Sequence, residues 1–154
     1  AVVGSHGIRV GADIPDMLYR DARPDMIILP GGMPGTVNLE KSEGVMEFVD
    51  FAAEKGIIIG AICAAPSILG HKGLLVGKKA TCFTGFEKEL KKAKIVNTPS
   101  VYDGNIVTGW GAGGAFDFAF ELLKAITGDD KKATDLRHSM RCVDNNFLRG
   151  KISG

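Results

Sequence analysis

Ile57-Ile58-Ile59-Gly60-Ala61-Ile62-Cys63-Ala64-Ala65-Pro66-Ser67 is the stretch that decides the fold. Its first six residues are apolar or small at odd and even positions alike. A strand with one wet face alternates apolar with polar, so a run without alternation is covered on both faces and belongs in the middle of a parallel sheet. Pro66 suits the first turn of a helix, where its missing N–H costs nothing. The stretch therefore predicts a central strand, a tight turn holding Cys63, and a helix. Small residues two before and two after Cys63 (Ala61 and Ala65) match a nucleophile elbow, whose turn is too tight for bulky side chains there. Such a turn lifts the cysteine to the C-terminal edge of the sheet, where open α/β folds bind ligands. The positive end of the following helix raises the reactivity of the sulfur. The competing reading is a buried structural cysteine, a common fate of this residue type.

Outward from this stretch, strands and helices alternate. Met26-Ile27-Ile28-Leu29 predicts a buried strand closed by a Pro30-Gly31-Gly32 turn. Ser42 caps a predicted helix with Val45, Met46, Phe48, Val49, Ala52 and Ala53 at helical spacing, stopped by Gly56. The helix after Pro66 runs through Ile68 and Leu69 to about Gly73. Ala80 to Phe83 reads as a strand and Phe86 to Lys92 as a short charged helix. Val101 to Thr108, with Asp103-Gly104-Asn105 at its centre, reads as a hairpin. Glycines from Gly109 to Gly114 open a helix bearing Phe116, Phe118, Phe120, Leu122 and Leu123, stopped by Gly128. Residues 130–140 predict a last helix, and Val143 to Gly154 carry little signal. The order predicts one α/β domain over residues 1–154, with a mainly parallel sheet and one antiparallel hairpin.

The totals exclude several function classes. A net charge of +1 over 154 residues gives no electrostatic reason to expect nucleic acid or anionic lipid as a partner. No apolar run approaches the ~20 residues of a membrane span, and no signal-peptide pattern is present. Three cysteines, Cys63, Cys82 and Cys142, without CxxC spacing, argue against a disulfide framework and for a reducing, cytoplasmic setting. His6, His71 and His138 are scattered, so no metal motif is expected. His71 and His138 read as structural or exposed, and Cys82 and Cys142 as bystanders.

A cysteine that attacks a carbonyl needs donors for the oxyanion it creates. Backbone N–H groups at Ala64 and in the Pro30-Gly31-Gly32 turn are candidates, since a glycine pair lets the backbone approach a ligand. A simple tight turn is the alternative reading of that glycine pair.

Four segments carry a family resemblance: Val3-Gly4-Ser5-His6-Gly7-Ile8, Ile28-Leu29-Pro30-Gly31-Gly32-Met33-Pro34-Gly35, Ala61 to Ser67, and Gly111-Ala112-Gly113 ahead of the Phe116 helix. In this order they resemble the ThiJ/PfpI superfamily, to about residue 140, and within it the ThiJ-like branch. The resemblance implies a flavodoxin-like (class I glutamine amidotransferase-like) sandwich and a homodimer. It also implies Cys63 as the oxidisable nucleophile, with Gly32 and Ala64 as its backbone donors. Gly31 and Ser67 fall at substrate-facing positions, and His6 falls where a partner-subunit side chain approaches the site in relatives. The implied activity is deglycase or glyoxalase action on small dicarbonyls or glycated proteins, with no cofactor and no metal. The alternative is a redox-sensing chaperone without turnover.

Three departures qualify that expectation. The family opens with a strand and a helix bearing a glutamate that hydrogen-bonds the cysteine, and this sequence begins after such a unit. A piece of roughly 30 residues is therefore expected upstream or as a separate N-terminal fragment. Without it, an exposed sheet edge is expected. Ala64 stands where peptidase-like relatives have histidine, which argues against proteolysis. Trp110, Ala112 and Gly114 replace the usual arginine, proline and threonine around the later glycine turn, so contacts to substrate differ there.

Overall fold

The computed structural model describes residues 1–14 and 24–142, so the tail that begins at Val143 lies outside the described residues. The elements run β1 (Val2–Val3), β2 (Arg9–Val10), β3 (Met26–Leu29), α1 (Gly35–Lys41), α2 (Glu43–Lys55), β4 (Ile58–Ile62) and α3 (Pro66–His71). They continue with β5 (Lys79–Ala80), a 3-10 turn (Glu87–Leu90), β6 (Lys94–Ile95), β7 (Ser100–Asp103), β8 (Ile106–Gly109), a 3-10 turn (Ala112–Gly114), α4 (Ala115–Thr127) and α5 (Asp130–Ser139).

The main sheet has the order β3-β4-β8-β7. β4 lies inside it and pairs in parallel with both neighbours, Met26 opposite Ile58 on one side and Ile59 opposite Ile106 on the other. The β7–β8 pair is the antiparallel hairpin that the sequence predicts. The lack of alternation in β4 has its expected cause. Ile59 and Ala61 join the core built with Val49 and Ala52 of α2 and Ile68 and Leu69 of α3. Ile58 and Ile62 pack on the other face with Val107, Phe118 and Leu122, the last two from α4. Helices on both faces of a mixed sheet with parallel strands make the α/β sandwich, as the resemblance implies.

The predicted helix boundaries agree with capping chemistry. The Ser42 side chain accepts a hydrogen bond from the Val45 N–H at 3.4 Å, and Gly56 and Gly128 end their helices in the left-handed conformation. Pro66 occupies the first turn of α3.

Three expectations change. Helix α1 has no counterpart in the sequence reading, because Pro34 precedes it without a side-chain cap and the helix spans only seven residues. The strand expected from Ala80 to Phe83 stops at Ala80. Beyond it, the Thr81 N–H turns to the Thr108 hydroxyl (3.0 Å) and the Phe83 N–H to the Cys63 carbonyl (2.8 Å), so neither extends a ladder. The charged helix expected at Phe86 to Lys92 contracts to the 3-10 turn, which points Leu90 into the core.

Among the described residues β3 pairs on one side only. Its Ile28 is 51% exposed. A shallow groove of about 310 Å³ runs beside it, lined by Met26, Ile28, Leu39, Val45 and Phe48 among others. The N-terminal pair β1–β2 forms a separate antiparallel ribbon whose valines are exposed. No helix among the described residues is long and apolar enough to cross a membrane.

Candidate active site

Cys63 follows the last residue of β4 and has φ +66°, a left-handed conformation that few non-glycine residues adopt. Its backbone is tied on both sides. Its N–H donates to the Gly109 carbonyl at the end of β8 (2.9 Å), and its carbonyl accepts from the Phe83 N–H (2.8 Å). Behind it, Ala64, Ala65 and Pro66 are buried, and the Ser67 hydroxyl donates to the Ala64 carbonyl at 2.7 Å. This hydrogen bond closes the first turn of α3. The strained turn is thus held by a sheet on one side and a buried helix start on the other, as an elbow requires.

The turn after β3 packs directly against the elbow. A side chain added at Gly31 would place its Cβ 2.5 Å from Cys63 Cβ, 2.5 Å from the Ile62 carbonyl oxygen and 3.0 Å from the Ala64 nitrogen. Gly32 follows at φ +91°, and its carbonyl accepts from both the N–H (2.8 Å) and the hydroxyl (3.0 Å) of Thr36, anchoring the turn to α1. The structure thus brings Gly31, and with it the turn that carries Gly32, against Cys63 and Ala64 from a distant part of the sequence.

The other predicted positions fall elsewhere. His6 lies exposed on the turn between β1 and β2, with its Nδ1 3.1 Å from the Ser5 hydroxyl. Cys82 is buried, and burial, with smaller contributions from Glu87 and Cys63, pushes its thiol up to about 11. It stays protonated at neutral pH, whereas Cys63 is partly exposed. Among the described residues, no group of three or more His, Cys, Asp or Glu could hold a metal ion.

His71 performs a structural task that the sequence did not reveal. Its Nδ1 is 2.5 Å from Glu40 Oε1 on α1, and its Nε2 is 2.8 Å from Glu89 Oε2 on the 3-10 turn. The imidazolium therefore joins the helix after the Gly31-Gly32 turn, the helix after Cys63, and the segment under both. The hydrogen bonds that His71 donates to Glu89 and, next in weight, to Glu40 raise its pKa above the ordinary value, and His71 in turn lowers that of Glu89. A raised histidine pKa stabilises the fold fully below pH ~6.5, and that contribution fades as pH rises through the folded-state value. The lowered Glu89 value acts oppositely, contributing above its unfolded value and fading as pH falls through the folded one. The clamp is thus strongest in mildly acidic solution. Wild type should lose melting temperature relative to His71→Gln between pH 6 and pH 9; parallel curves for the two proteins would refute the clamp.

A cavity of about 480 Å³ opens beside the elbow, lined in part by Phe83, Glu87, Ile95 and Trp110. In the sequence Trp110 stands out only as a departure from the family pattern, and nothing near Phe83 or Ile95 marks them for the site, because the three residues meet only in the folded chain.

Comparison with known proteins agrees with this fold. The sequence profile of the DJ-1/PfpI family matches residues 1–125, and the chain belongs to that family. It is 36% identical over 129 residues to protein DJ-1 homolog A of Arabidopsis thaliana, covering 82% of this chain and 33% of that protein. It is 30% identical over 123 residues to the glutathione-independent glyoxalase DJR-1.2 of Caenorhabditis elegans, covering 77% of this chain and 65% of that protein. Among solved structures, a cysteine-to-alanine mutant of a DJ-1 superfamily protein from Salmonella typhimurium superposes with a TM-score of 0.84 at 33% identity. That match covers 91% of this chain and 76% of the Salmonella chain. An oxidized DJ-1 from Toxoplasma gondii superposes with a TM-score of 0.83 at 28% identity, covering 90% and 76%. The chain spans between 30% and 67% of the length of the first six curated relatives it matches.

Proposed function

We propose that the protein is a cysteine-dependent, glyoxalase-like enzyme acting on 2-oxoaldehydes or their protein adducts, and that it works as a homodimer without a cofactor. The observation that carries this reading is the strained Cys63 elbow, packed against Gly31 and tied to β8 and Phe83. The naming of a relative as a glutathione-independent glyoxalase supports the substrate class.

In this reading the Cys63 thiolate adds to the aldehyde carbon, and the carbonyl electron pair moves to oxygen, where the Gly32 and Ala64 N–H groups stabilise it. The aldehyde hydrogen then leaves as a proton and returns to the adjacent carbon through an enediolate. The first carbon rises to the thioester level while the second falls from ketone to alcohol, so no external oxidant or reductant is consumed. Water cleaves the thioester, releasing a 2-hydroxy acid and the thiol. Gly31 shapes the wall of the site; Ser67, buried with its hydroxyl on the Ala64 carbonyl, supports the elbow from behind instead of meeting substrate, and His6 would approach from a partner subunit.

Methylglyoxal turnover should vanish in Cys63→Ala and in Cys63→Gly. Persistence of wild-type turnover in either would overturn the reading. The two variants should differ in stability. Glycine relieves a left-handed strain of about 1–2 kcal/mol and gives back part of it through unfolded-chain entropy. Cys63→Gly should therefore exceed Cys63→Ala by roughly 0.5–1 kcal/mol in denaturant unfolding.

A second reading draws on the oxidized Toxoplasma relative and on the contrast between partly exposed Cys63 and buried Cys82. In it, peroxide oxidises the Cys63 thiolate to sulfenate with release of water, and a second peroxide carries it to sulfinate. The oxidised form would then change partner binding. Mass analysis after mild peroxide tests it: oxidation at Cys82 or Cys142 before Cys63 would remove its basis.

A further inference from the structure

The cavity beside Cys63 is bounded by the two segments that hold the cysteine backbone. Phe83, whose N–H donates to the Cys63 carbonyl, stands in one wall. Trp110 and Gly111, which directly follow the Gly109 carbonyl that accepts the Cys63 N–H, stand in another. Cys63 itself does not line the cavity, so the cavity would receive only a substituent long enough to extend past the carbon bonded to its sulfur.

The chemistry of the lining is distinctive. Phe83 is 50% exposed and Ile95 47% exposed, so two of the larger apolar side chains left in solvent face this one concavity together with Trp110. Apolar surface gathered in a concave site lowers the free energy of a ligand that covers it. Gly111 brings the backbone near the phenylalanine: a Cβ there would lie 3.3 Å from Phe83 Cδ2. Trp110 is held from behind by Gly114, where a Cβ would fall 2.6 Å from the indole nitrogen. Among the described residues no lysine, arginine or histidine lines the cavity, and Glu87 places a carboxylate in it. Anionic substituents such as phosphates are thus disfavoured, while an uncharged flat ring fits both the shape and the surface.

We propose that Trp110 and Phe83 select 2-oxoaldehydes bearing an uncharged aryl substituent over those bearing a methyl group. The inference rests on the glyoxalase-like reading for its reactive group, but the aryl preference belongs to the cavity and can be read without turnover.

The test compares phenylglyoxal with methylglyoxal. Wild type should show a kcat/KM ratio favouring phenylglyoxal by about tenfold or more, since added apolar contact in a pocket is worth such factors. That ratio should fall toward unity in Trp110→Ala and in Phe83→Ala, mainly through the KM for phenylglyoxal. Phe83 is half exposed, so its truncation keeps the test open if Trp110→Ala fails to fold. A wild-type ratio near unity, or a ratio unchanged in a folded variant, would overturn the proposal.

A second arm separates this failure from failure of the proposed reaction. Trp110 is the only tryptophan of the sequence, so intrinsic fluorescence reports on the cavity wall. Cys63→Ala protein would be titrated with mandelamide and lactamide, neutral analogues of the two expected hydroxy acids. Saturable change with mandelamide, at concentrations where lactamide does nothing, supports aryl selection even if neither aldehyde is turned over. An equal response to both, or none to mandelamide, refutes it.

Discussion

Replacing Gly31 with alanine is expected to reduce turnover at least a hundredfold and to cost about 3 kcal/mol of stability. The added methyl would lie 2.5 Å from both Cys63 Cβ and the Ile62 carbonyl oxygen. Neither neighbour is the free end of a flexible side chain, so the Pro30–Gly32 turn or the elbow must shift. A displacement near 1 Å at a reacting centre costs on the order of 10² in rate. Gly32→Ala is the informative companion. Gly32 has open space around its Cβ position but φ +91°, so its substitution strains the backbone without a collision. Gly31→Ala should be the worse of the two in both activity and thermal melting. A Gly31→Ala protein with wild-type turnover would show that the turn and the elbow are not packed as described.

Gly70→Ala should be comparably damaging to stability, although alanine is the better helix former by roughly 1 kcal/mol. Gly70 lies in α3, and a Cβ there would sit 2.1 Å from the Glu89 carbonyl oxygen and 2.7 Å from Leu90 Cα. The elbow helix and the 3-10 turn touch backbone to backbone at this point. Relief requires separating them, which uncovers Leu69 and Leu90, both fully buried, and pulls Glu89 from His71. A loss of about 3 kcal/mol is expected in denaturant unfolding, together with a weaker pH dependence of the melting temperature than wild type. A stabilised Gly70→Ala protein would mean that helix propensity outweighs packing there.

How much of this was legible without coordinates depends on how local each feature is. The Cys63 elbow was legible because its causes lie within ten residues: a two-faced apolar strand, small flanking residues and a proline at the helix start. The caps at Ser42, Gly56 and Gly128 were legible for the same reason. Helix α1 was not, since it is short and lacks a capping side chain. Residues 81–83 resembled a strand in composition, yet their N–H groups found partners at Thr108 and Cys63 rather than in a ladder. Nothing near them in sequence announces those partners.

His71 and the cavity make the same point from the side of function. His71 was read as structural or exposed, and its role as a clamp depends on Glu40 and Glu89, which are 31 and 18 positions away. Trp110, Phe83 and Ile95 come from three separate segments and meet only because β8, the chain after β5, and β6 converge beside Cys63.

By itself, then, the sequence determined the main alternation of strands and helices (though not α1, β2 or β6), the central position of β4 and the placement of Cys63 in a tight turn. Each of these follows from side-chain volume, backbone preference and hydrogen-bond capacity within a few residues. Tertiary structure alone decided what surrounds that turn: Gly31 packed against it, His71 bracing the helices behind it, and an aromatic cavity beside it. Those contacts join residues from distant segments, and their existence depends on how the sheet and helices pack.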